Sequence, residues 1–408
     1  MGTKTISKCN KNIIIATVLV VFLLLVYWLN TTALPAVMNV PIVGVTIAIM
    51  ALLFLCIGYY QSVKQRALYR GYKFGIFLLL IVFVLGGWFL YDGFLTFQKQ
   101  EVTFKNNDIT LAGSLYLPTG DCPCPAVLFI HGSGSQTRGE YRYYAYKLAQ
   151  NGIISLVYDK RGTGGSTGEL YDSDYEDYAK DALAGMKFLR QRKDVKEDGV
   201  GFIGYSEGEW VAPLAFGFAT EKPNFIAVVG ASGFSPAGQV NEEVKIRLSS
   251  SGFDSSAISQ AISLNKWVFH FQRTGENRDS LLTAIQRNRN ESWFITAEDI
   301  PKSDDELGQF EDYSWWRSVM DTNPDSLWSQ VDVPILFLKG EQDDRSRADL
   351  AERKLMTALK QTNNNIEFIH FSGADHMILE WPLGKNVPPP VFSEGYLDKI
   401  VEWIFENQ

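Results

Sequence analysis

A serine flanked by glycines, in the pentapeptide Gly204-Tyr-Ser-Glu-Gly208, separates two segments of different character. Residues 199–203 are short and apolar and predict a strand, whereas residues 210–216 are apolar and compatible with a helix. At such a turn the serine adopts a strained backbone shape that directs its hydroxyl out of the fold. The flanking glycines leave room where the turn is crowded. Ser206 is therefore a candidate nucleophile, and the chain around it must alternate strands with helices.

Short apolar runs recur through the rest of the chain and are separated by helix-like segments. The runs predict strands at 101–105, 110–117, 126–130, 153–158, 200–203, 225–229, 335–338 and 366–370. Helices are predicted at 141–150, 175–192, 206–219, 347–361 and 394–406. Most of the runs lack strict alternation, which is typical of strands covered on both faces in a parallel sheet. We expect an α/β fold with about eight strands, mostly parallel, that begins with an antiparallel pair.

One segment does not follow this alternation of strands and helices. About a hundred residues between 229 and 335 contain no clear strand, and residues 235–330 are predicted to form a helical cap. The insertion point lies at the carboxyl edge of the sheet, where open α/β folds bind ligands. Its tryptophans are Trp267, Trp293, Trp315, Trp316 and Trp328. For most of them we expect a place in the cap's own core rather than a contact with substrate.

The first hundred residues differ in charge from the remainder. They hold eight lysines and arginines and one acidic residue, although the whole chain of 408 residues has a formal net charge of −8. The remainder is therefore acidic. Because it also lacks a cluster of basic residues, nucleic acid is excluded as an expected substrate or partner.

Three long apolar stretches lie in this basic region. Residues 13–29, 34–60 and 74–95 are each long enough to span a bilayer as a helix. We therefore predict a membrane region at 1–98 with three transmembrane helices that contact the lipid bilayer, followed by a separate domain at 99–408.

Basic residues in the short loops predict the orientation of these helices. Lys4, Lys8 and Lys11 precede the first stretch, and four more basic residues separate the second from the third. The loop between the first and second stretches has none. Since basic loops stay in the cytoplasm, we expect a cytoplasmic amino terminus and an extracytoplasmic domain at 99–408.

The four cysteines are too few for a disulfide framework. Cys122 and Cys124 are separated by one proline, and this tight spacing favours a turn with two unpaired thiols. A bridge between them is the alternative if the domain lies outside the cytoplasm. Neither a second cysteine pair nor a histidine pair lies nearby, so no metal site and no cofactor are expected.

A serine nucleophile needs a base, an acid that orients the base, and donors for an oxyanion. The chain has only four histidines, and only His376 follows the last predicted strand at the carboxyl edge. His131, His270 and His370 lie before a turn, in the cap and in a strand. Asp343, after the strand at 335–338, is the predicted acid, with Asp344 as the alternative. The order Ser206, Asp343, His376 fits a nucleophile, acid and base.

The predicted oxyanion donors are the backbone N–H groups of Ser133 and Glu207. Glu207 directly follows the nucleophile at a helix start, and Ser133 lies in the glycine-rich turn His131-Gly-Ser-Gly134. A carboxylate close to an oxyanion would oppose catalysis. We therefore expect the Glu207 side chain to point away or to contact a basic group, and Arg161 to pair with a buried carboxylate.

Together these motifs resemble the α/β-hydrolase superfamily over about residues 100–408. Within it they resemble bacterial serine esterases with a Gly-x-Ser-Glu-Gly elbow, near the dienelactone-hydrolase-like and prolyl-oligopeptidase-like groups. The resemblance rests on residues 131–134, 159–162, 204–208, 340–343 and 373–376. The chain departs from the pattern at Glu209, where glycine is common, and after Asp343, where Val-Pro is usual.

Three functions remain open at this level. The first is a membrane-anchored serine hydrolase that cleaves carboxylic esters through an acyl-enzyme. The second is a serine peptidase of the aminopeptidase or prolyl-oligopeptidase kind, with a short peptide as substrate. The third is a membrane protein that uses a hydrolase fold for binding or sensing without catalysis.

Overall fold

The structure is a computed structural model that describes residues 96–408 except 299, 310–313, 360–362, 364 and 385–389. The chain divides into two units, Met1–Gln98 and Lys99–Gln408. The three predicted membrane helices lie outside the described residues. In the described part of the chain, no helix has both the length and the apolar character needed to cross a bilayer.

Eight strands form one sheet. They are β1 (Phe97–Asn106), β2 (Ile109–Pro118), β3 (Cys124–Ile130), β4 (Ile154–Tyr158), β5 (Val195–Tyr205), β6 (Ile226–Val229), β7 (Ile335–Gly340) and β8 (Ile366–Phe371). Their order is β1-β2-β4-β3-β5-β6-β7-β8. β2 runs antiparallel to β4, and all neighbours from β4 to β8 are parallel. The predicted mostly parallel sheet of eight strands is confirmed.

Twelve helices are described. They are α1 (Arg142–Gln150), α2 (Tyr175–Arg190), α3 (Gly208–Phe218), α4 (Pro236–Ser250), α5 (Ser255–Thr274), α6 (Arg278–Asn288), α7 (Ser292–Thr296), α8 (Asp304–Gln309), α9 (Ser314–Val319), α10 (Pro324–Trp328), α11 (Ala348–Leu359) and α12 (Tyr396–Glu406). Two short strands, β9 (Leu379–Glu380) and β10 (Val391–Phe392), pair antiparallel ahead of α12.

The central strands are covered on both faces. In β3 every residue is buried, which explains its unbroken apolar sequence. Leu128 and Ile130 join a core with residues of α2, α3 and α11. Phe129 points the other way and packs on Tyr141 and Tyr205, on the side where α1 contacts α12. Burial on both faces holds the strand ends of this sheet in fixed positions.

The segment between β6 and β7 contains helices α4 to α10 and has a hydrophobic core of its own. Trp293 is buried in that core, whereas Trp328 packs edge-on against Phe337 of β7 in the core of the sheet. Trp267 is half exposed on α5. The helical content agrees with the expected insertion, while its role as a cap over the site stays a prediction.

The interpretation of Cys122 and Cys124 as unpaired thiols was wrong. The two residues form a disulfide at the start of β3. The turn through the intervening proline brings their Cα atoms to 4.7 Å, within the range that a disulfide spans. Tight spacing in sequence therefore did not prevent the bridge.

Gly201 of β5 tests how closely the sheet is packed. An alanine Cβ at this position would lie 2.2 Å from the ring of Phe225, which is itself held by an edge-on contact with Trp403 of α12. We expect Gly201→Ala to lower the free energy of unfolding by about 1–3 kcal/mol, measured by urea denaturation. Gly120→Ala is the control, because its Cβ would meet nothing within 4 Å. Equal stability of the two variants would contradict this packing.

Candidate active site

Ser206 lies at the sharp turn between β5 and α3. Its φ is +49°, a left-handed conformation that is uncommon for residues other than glycine. The backbone N–H of Ser206 donates to the carbonyl of Val229 at the end of β6, at 2.9 Å. A side chain on Gly204 would place its Cβ 3.0 Å from the carbonyl oxygen of Gly208, so the two ends of the turn pass closely. Ser206 thus has the strained position expected of a nucleophile at this type of turn.

Asp343 and His376 are in direct contact. The carboxylate Oδ2 of Asp343 lies 2.8 Å from Nδ1 of His376. The acid side chain is fully buried, whereas 15% of the imidazole is exposed. Asp344, the alternative acid, is exposed to solvent instead. The imidazole therefore has one nitrogen oriented by a buried carboxylate and is itself partly exposed.

The sheet register brings the loops of these residues to one edge. Tyr205, directly before Ser206, pairs with Val229, and Val229 pairs with Leu338 of β7. A Cβ on Gly230 would lie 2.8 Å from Cε1 of His376. Because Gly230 directly follows the residue that accepts from Ser206, the imidazole lies beside the turn of the nucleophile.

The loop of the base is also fixed against the strand of the acid. A Cβ on Gly340, the last residue of β7, would lie 2.1 Å from the carbonyl oxygen of Asp375 and 2.3 Å from that of Ala374. The backbone directly before His376 thus occupies the space of a side chain at residue 340. Only glycine allows this approach.

Asp343 stays ionised despite its burial. Its Oδ2 also accepts from the ammonium of Lys339 at 2.6 Å, and its Oδ1 accepts from the backbone N–H of Arg345 at 2.7 Å. Burial alone would raise the pKa of Asp343, but the charges of His376 and Lys339 and their hydrogen bonds hold it well below its usual range. The carboxylate can therefore stabilise a protonated imidazole.

The other histidines have different environments. His131 is buried and its Nε2 contacts the carbonyl oxygen of Tyr158 at 2.6 Å. Burial, together with the nearby charge of Lys160, lowers the pKa of His131 to about 3, so the ring is neutral. His370 contacts Glu352 at 2.9 Å, and His270 lies exposed on α5. Within the described residues, His376 is the only one of the four histidines that contacts a buried aspartate.

The two expected oxyanion donors are unengaged. Within the described residues, the backbone N–H groups of Ser133 and Glu207 donate to no protein acceptor. By contrast, the N–H of Gly132 donates to Gln136 Oε1 at 2.8 Å and lies 3.0 Å from the hydroxyl of Tyr141. Ser133 and Glu207 thus remain the available donors, and their roles stay predictions.

Both glutamates of the elbow are buried, and each has hydrogen-bond partners inside the protein. The Glu207 carboxylate pairs with Lys160 at 2.5 Å, as expected for a contact with a basic group. Burial raises the pKa of Glu207, although Lys160 opposes the shift. Glu209 accepts from the N–H and hydroxyl of Ser232 and from the N–H of Gly233. The ammonium beside Glu207 offsets a carboxylate charge that would oppose an oxyanion.

The sequence predicted one of two further contacts and missed the other. Arg161 pairs with buried Asp181 at 2.7 Å, which is the kind of contact expected for it. Lys339 was not expected at the site, and its side chain is fully buried beside the predicted acid. A lysine inside an otherwise apolar strand, four residues before an aspartate, was the available sequence signal.

The insertion contacts the loop that contains Asp343, the predicted acid. Arg345, whose N–H holds Asp343, donates through its guanidinium to Glu243 of α4 at 2.7 Å. Residues of α4 and of this loop line a cavity of about 260 Å³. In the described part of the chain, no group of three or more His, Cys, Asp or Glu side chains is arranged to hold a metal ion.

Residues 121–380 match the sequence model of the family described as serine aminopeptidase, S33. The chain belongs to this family. The matched region contains Ser206, Asp343 and His376. The fold and the family therefore agree with the expected α/β-hydrolase resemblance.

Individual relatives are more distant. Esterase EstD of Thermotoga maritima is 25% identical over 311 residues, which cover 73% of this chain and 66% of EstD. The quorum-quenching protein AidA of Acinetobacter baumannii is 28% identical over 134 residues, or 32% of this chain and 35% of AidA. The chain thus spans just under two thirds of EstD and about a third of AidA. The solved esterase PF2001 of Pyrococcus furiosus is 16% identical and covers 76% of this chain and 90% of its own, with a TM-score of 0.46.

The buried Glu209 gives stability a specific pH dependence. Burial raises its pKa from 4.5 to about 7, so the folded protein keeps a proton that the unfolded chain has already lost. The stability contributed by this group falls as pH rises from 4.5 to about 7 and is constant above, a total of about 3 kcal/mol.

The free energy of unfolding of the wild type minus that of Glu209→Gln should show this fall, because other groups cancel in the difference. Urea denaturation at several pH values measures it. A difference that is constant from pH 4 to pH 8 would contradict the buried, protonated state of Glu209.

Proposed function

We propose that this chain is a membrane-anchored serine hydrolase that cleaves carboxylic esters outside the cytoplasm. The contact of buried Asp343 with His376, beside the strained turn of Ser206, is the observation that carries the proposal. Family membership and the relationship to an esterase of Thermotoga maritima support it.

The geometry fits acyl transfer in two steps. The anionic Asp343 holds the proton of His376 on Nδ1, which leaves Nε2 free to take the proton of the Ser206 hydroxyl. The serine oxygen then attacks the ester carbonyl, and the N–H groups of Ser133 and Glu207 receive the oxyanion. His376 returns the proton to the leaving alcohol, and a water molecule frees the acyl-enzyme by the same sequence. This cycle needs no cofactor.

A second candidate is a serine peptidase with a short peptide substrate. The family description names an aminopeptidase, and the same three side chains serve amide hydrolysis. A third candidate, a binding or sensing module without catalysis, is less consistent with a base that has kept its acid partner.

A fluorophosphonate probe separates an enzyme from a binding module. The wild type should be labelled covalently, and Ser206→Ala should not be labelled and should lose kcat by on the order of 10⁶-fold. Ser280→Ala, at an exposed serine of α6, is the control and should be labelled as the wild type is. Absence of labelling in folded wild-type protein would rule against the hydrolase.

Relative turnover of two chromogenic substrates separates ester from peptide hydrolysis. On the ester proposal, a short-chain nitrophenyl ester is cleaved with a much larger kcat/KM than an aminoacyl nitroanilide. The reverse order would favour the peptidase.

The membrane location rests on the apolar stretches of the sequence and on the charge of their loops. The disulfide of Cys122 and Cys124 supports an oxidising compartment for the domain. Nucleic acid is not part of the proposal, because the chain is acidic overall.

Reporter fusions in a bacterial host test this orientation. Alkaline phosphatase, which is active only outside the cytoplasm, should be active when fused after Gln98 and inactive when fused after Leu68, between the second and third stretches. Activity of both fusions or of neither would overturn the proposed topology.

A further inference from the structure

Lys160 is a buried cation that the mechanism above does not use. It follows β4 by two residues, and only 4% of its side chain is exposed. A buried ammonium needs compensating partners. Lys160 has three: the carbonyl oxygen of Gly132 at 3.0 Å, the Glu207 carboxylate at 2.5 Å, and the ring of Tyr178, 4.3 Å from its centroid. Two of these partners adjoin or belong to the expected oxyanion donors.

The carbonyl of Gly132 and the N–H of Ser133 belong to the same peptide group. In a trans peptide the C=O and the N–H point in opposite directions. Lys160 holds the carbonyl toward the interior, so the N–H of Ser133 points away from the ammonium. The N–H of Gly132, which belongs to the preceding peptide group, donates to Gln136, so the neighbouring peptide is held as well. The direction of the Ser133 donor is therefore set by the lysine.

The second donor depends on the same ammonium. Glu207 is fully buried, and its carboxylate binds Lys160 while its N–H opens the first turn of α3. One cation thus connects the turn after β3 with the turn after β5. Since β3 and β5 are neighbours whose residues Ile130 and Gly204 pair, the connection spans adjacent strand ends.

We propose that Lys160, through its bonds to the Gly132 carbonyl and to the Glu207 carboxylate, is the positioning residue that orients the two oxyanion donors of the Ser206 site. The inference rests on the proposed serine hydrolase function. Donation by a cation to the Gly132 carbonyl also polarises that peptide, which strengthens its N–H as a donor. A purely structural role explains the contact less well, since buried ion pairs add little stability over apolar replacements of similar size.

The test is the double variant Lys160→Met/Glu207→Gln, which removes both charges and leaves no unpaired ion. We expect kcat for a nitrophenyl ester to fall by about 10²- to 10³-fold, the effect of losing one oxyanion donor, with KM changed by less than about 3-fold. A trifluoromethyl ketone, which forms a tetrahedral adduct with a serine, should bind more weakly by a similar factor. A packing defect alone does not produce this pattern.

The neighbouring buried pair provides a matched control. Arg161 and Asp181 are joined at 2.7 Å, and in the described part of the chain neither hydrogen-bonds to Ser206 or to the donor peptides. Arg161→Met/Asp181→Asn should lower thermal stability but leave kcat within about 3-fold of the wild type. If both double variants lose kcat equally, the effect is structural and the inference is overturned.

Two single variants cover the case in which the double variant fails to fold. Glu207→Gln keeps the bond from Lys160 to Gly132, so its kcat should fall by less than 10-fold, whereas Lys160→Met should lose 10²-fold or more. Equal kcat values for these two variants would overturn the inference. If wild-type protein neither reacts with a fluorophosphonate nor cleaves esters, the proposed function itself has failed, a result distinct from an active wild type with an unaffected double variant.

Discussion

The buried carboxylate of Asp343 is the interaction on which the geometry of the site depends. An ionised group without solvent needs partners on every side, and Asp343 has them in Lys339, His376 and the N–H of Arg345. Each partner comes from a different backbone position, so the carboxylate fixes the end of β7, the following loop and the loop after β8 relative to one another. The orientation of the imidazole is a consequence of that arrangement.

Two buried lysines form ion pairs with the buried carboxylates at this edge of the sheet. Lys339 lies beside Asp343, and Lys160 lies beside Glu207. Asp343 itself and the backbone N–H of Glu207 take part in the proposed reaction, and neither carboxylate is exposed. Pairing inside the protein keeps these negative charges from acting on a developing oxyanion, because the field of a close ion pair falls off quickly with distance. The edge can thus contain several carboxylates and still favour an anionic intermediate.

The sequence predicted the elements of the sheet because buried parallel strands leave unbroken apolar runs. It predicted β5 too short, at 200–203 instead of Val195–Tyr205. The start of that strand is partly exposed and contains Lys196, Glu197 and Asp198, so it lacks the apolar pattern of a buried strand. His376 could be identified by elimination, since the chain has only four histidines. The contacts of Lys160 and Glu209 could not be identified, because they depend on which loops meet at the sheet edge. The contact of Lys339 with Asp343 is local, and its sequence signal was overlooked. The disulfide was missed for a local reason, a turn at proline whose Cα spacing the sequence does not reveal.

The glycine that ends β7 has a consequence for how the site can vary. Main chain from the segment before His376 fills the volume where residue 340 would carry a side chain. The acid and the base are consequently brought together by backbone against backbone, a contact that does not change when surrounding side chains are exchanged. Side chains of the insertion and of the outer loops can therefore change while the distance between His376 and the Asp343 carboxylate is preserved.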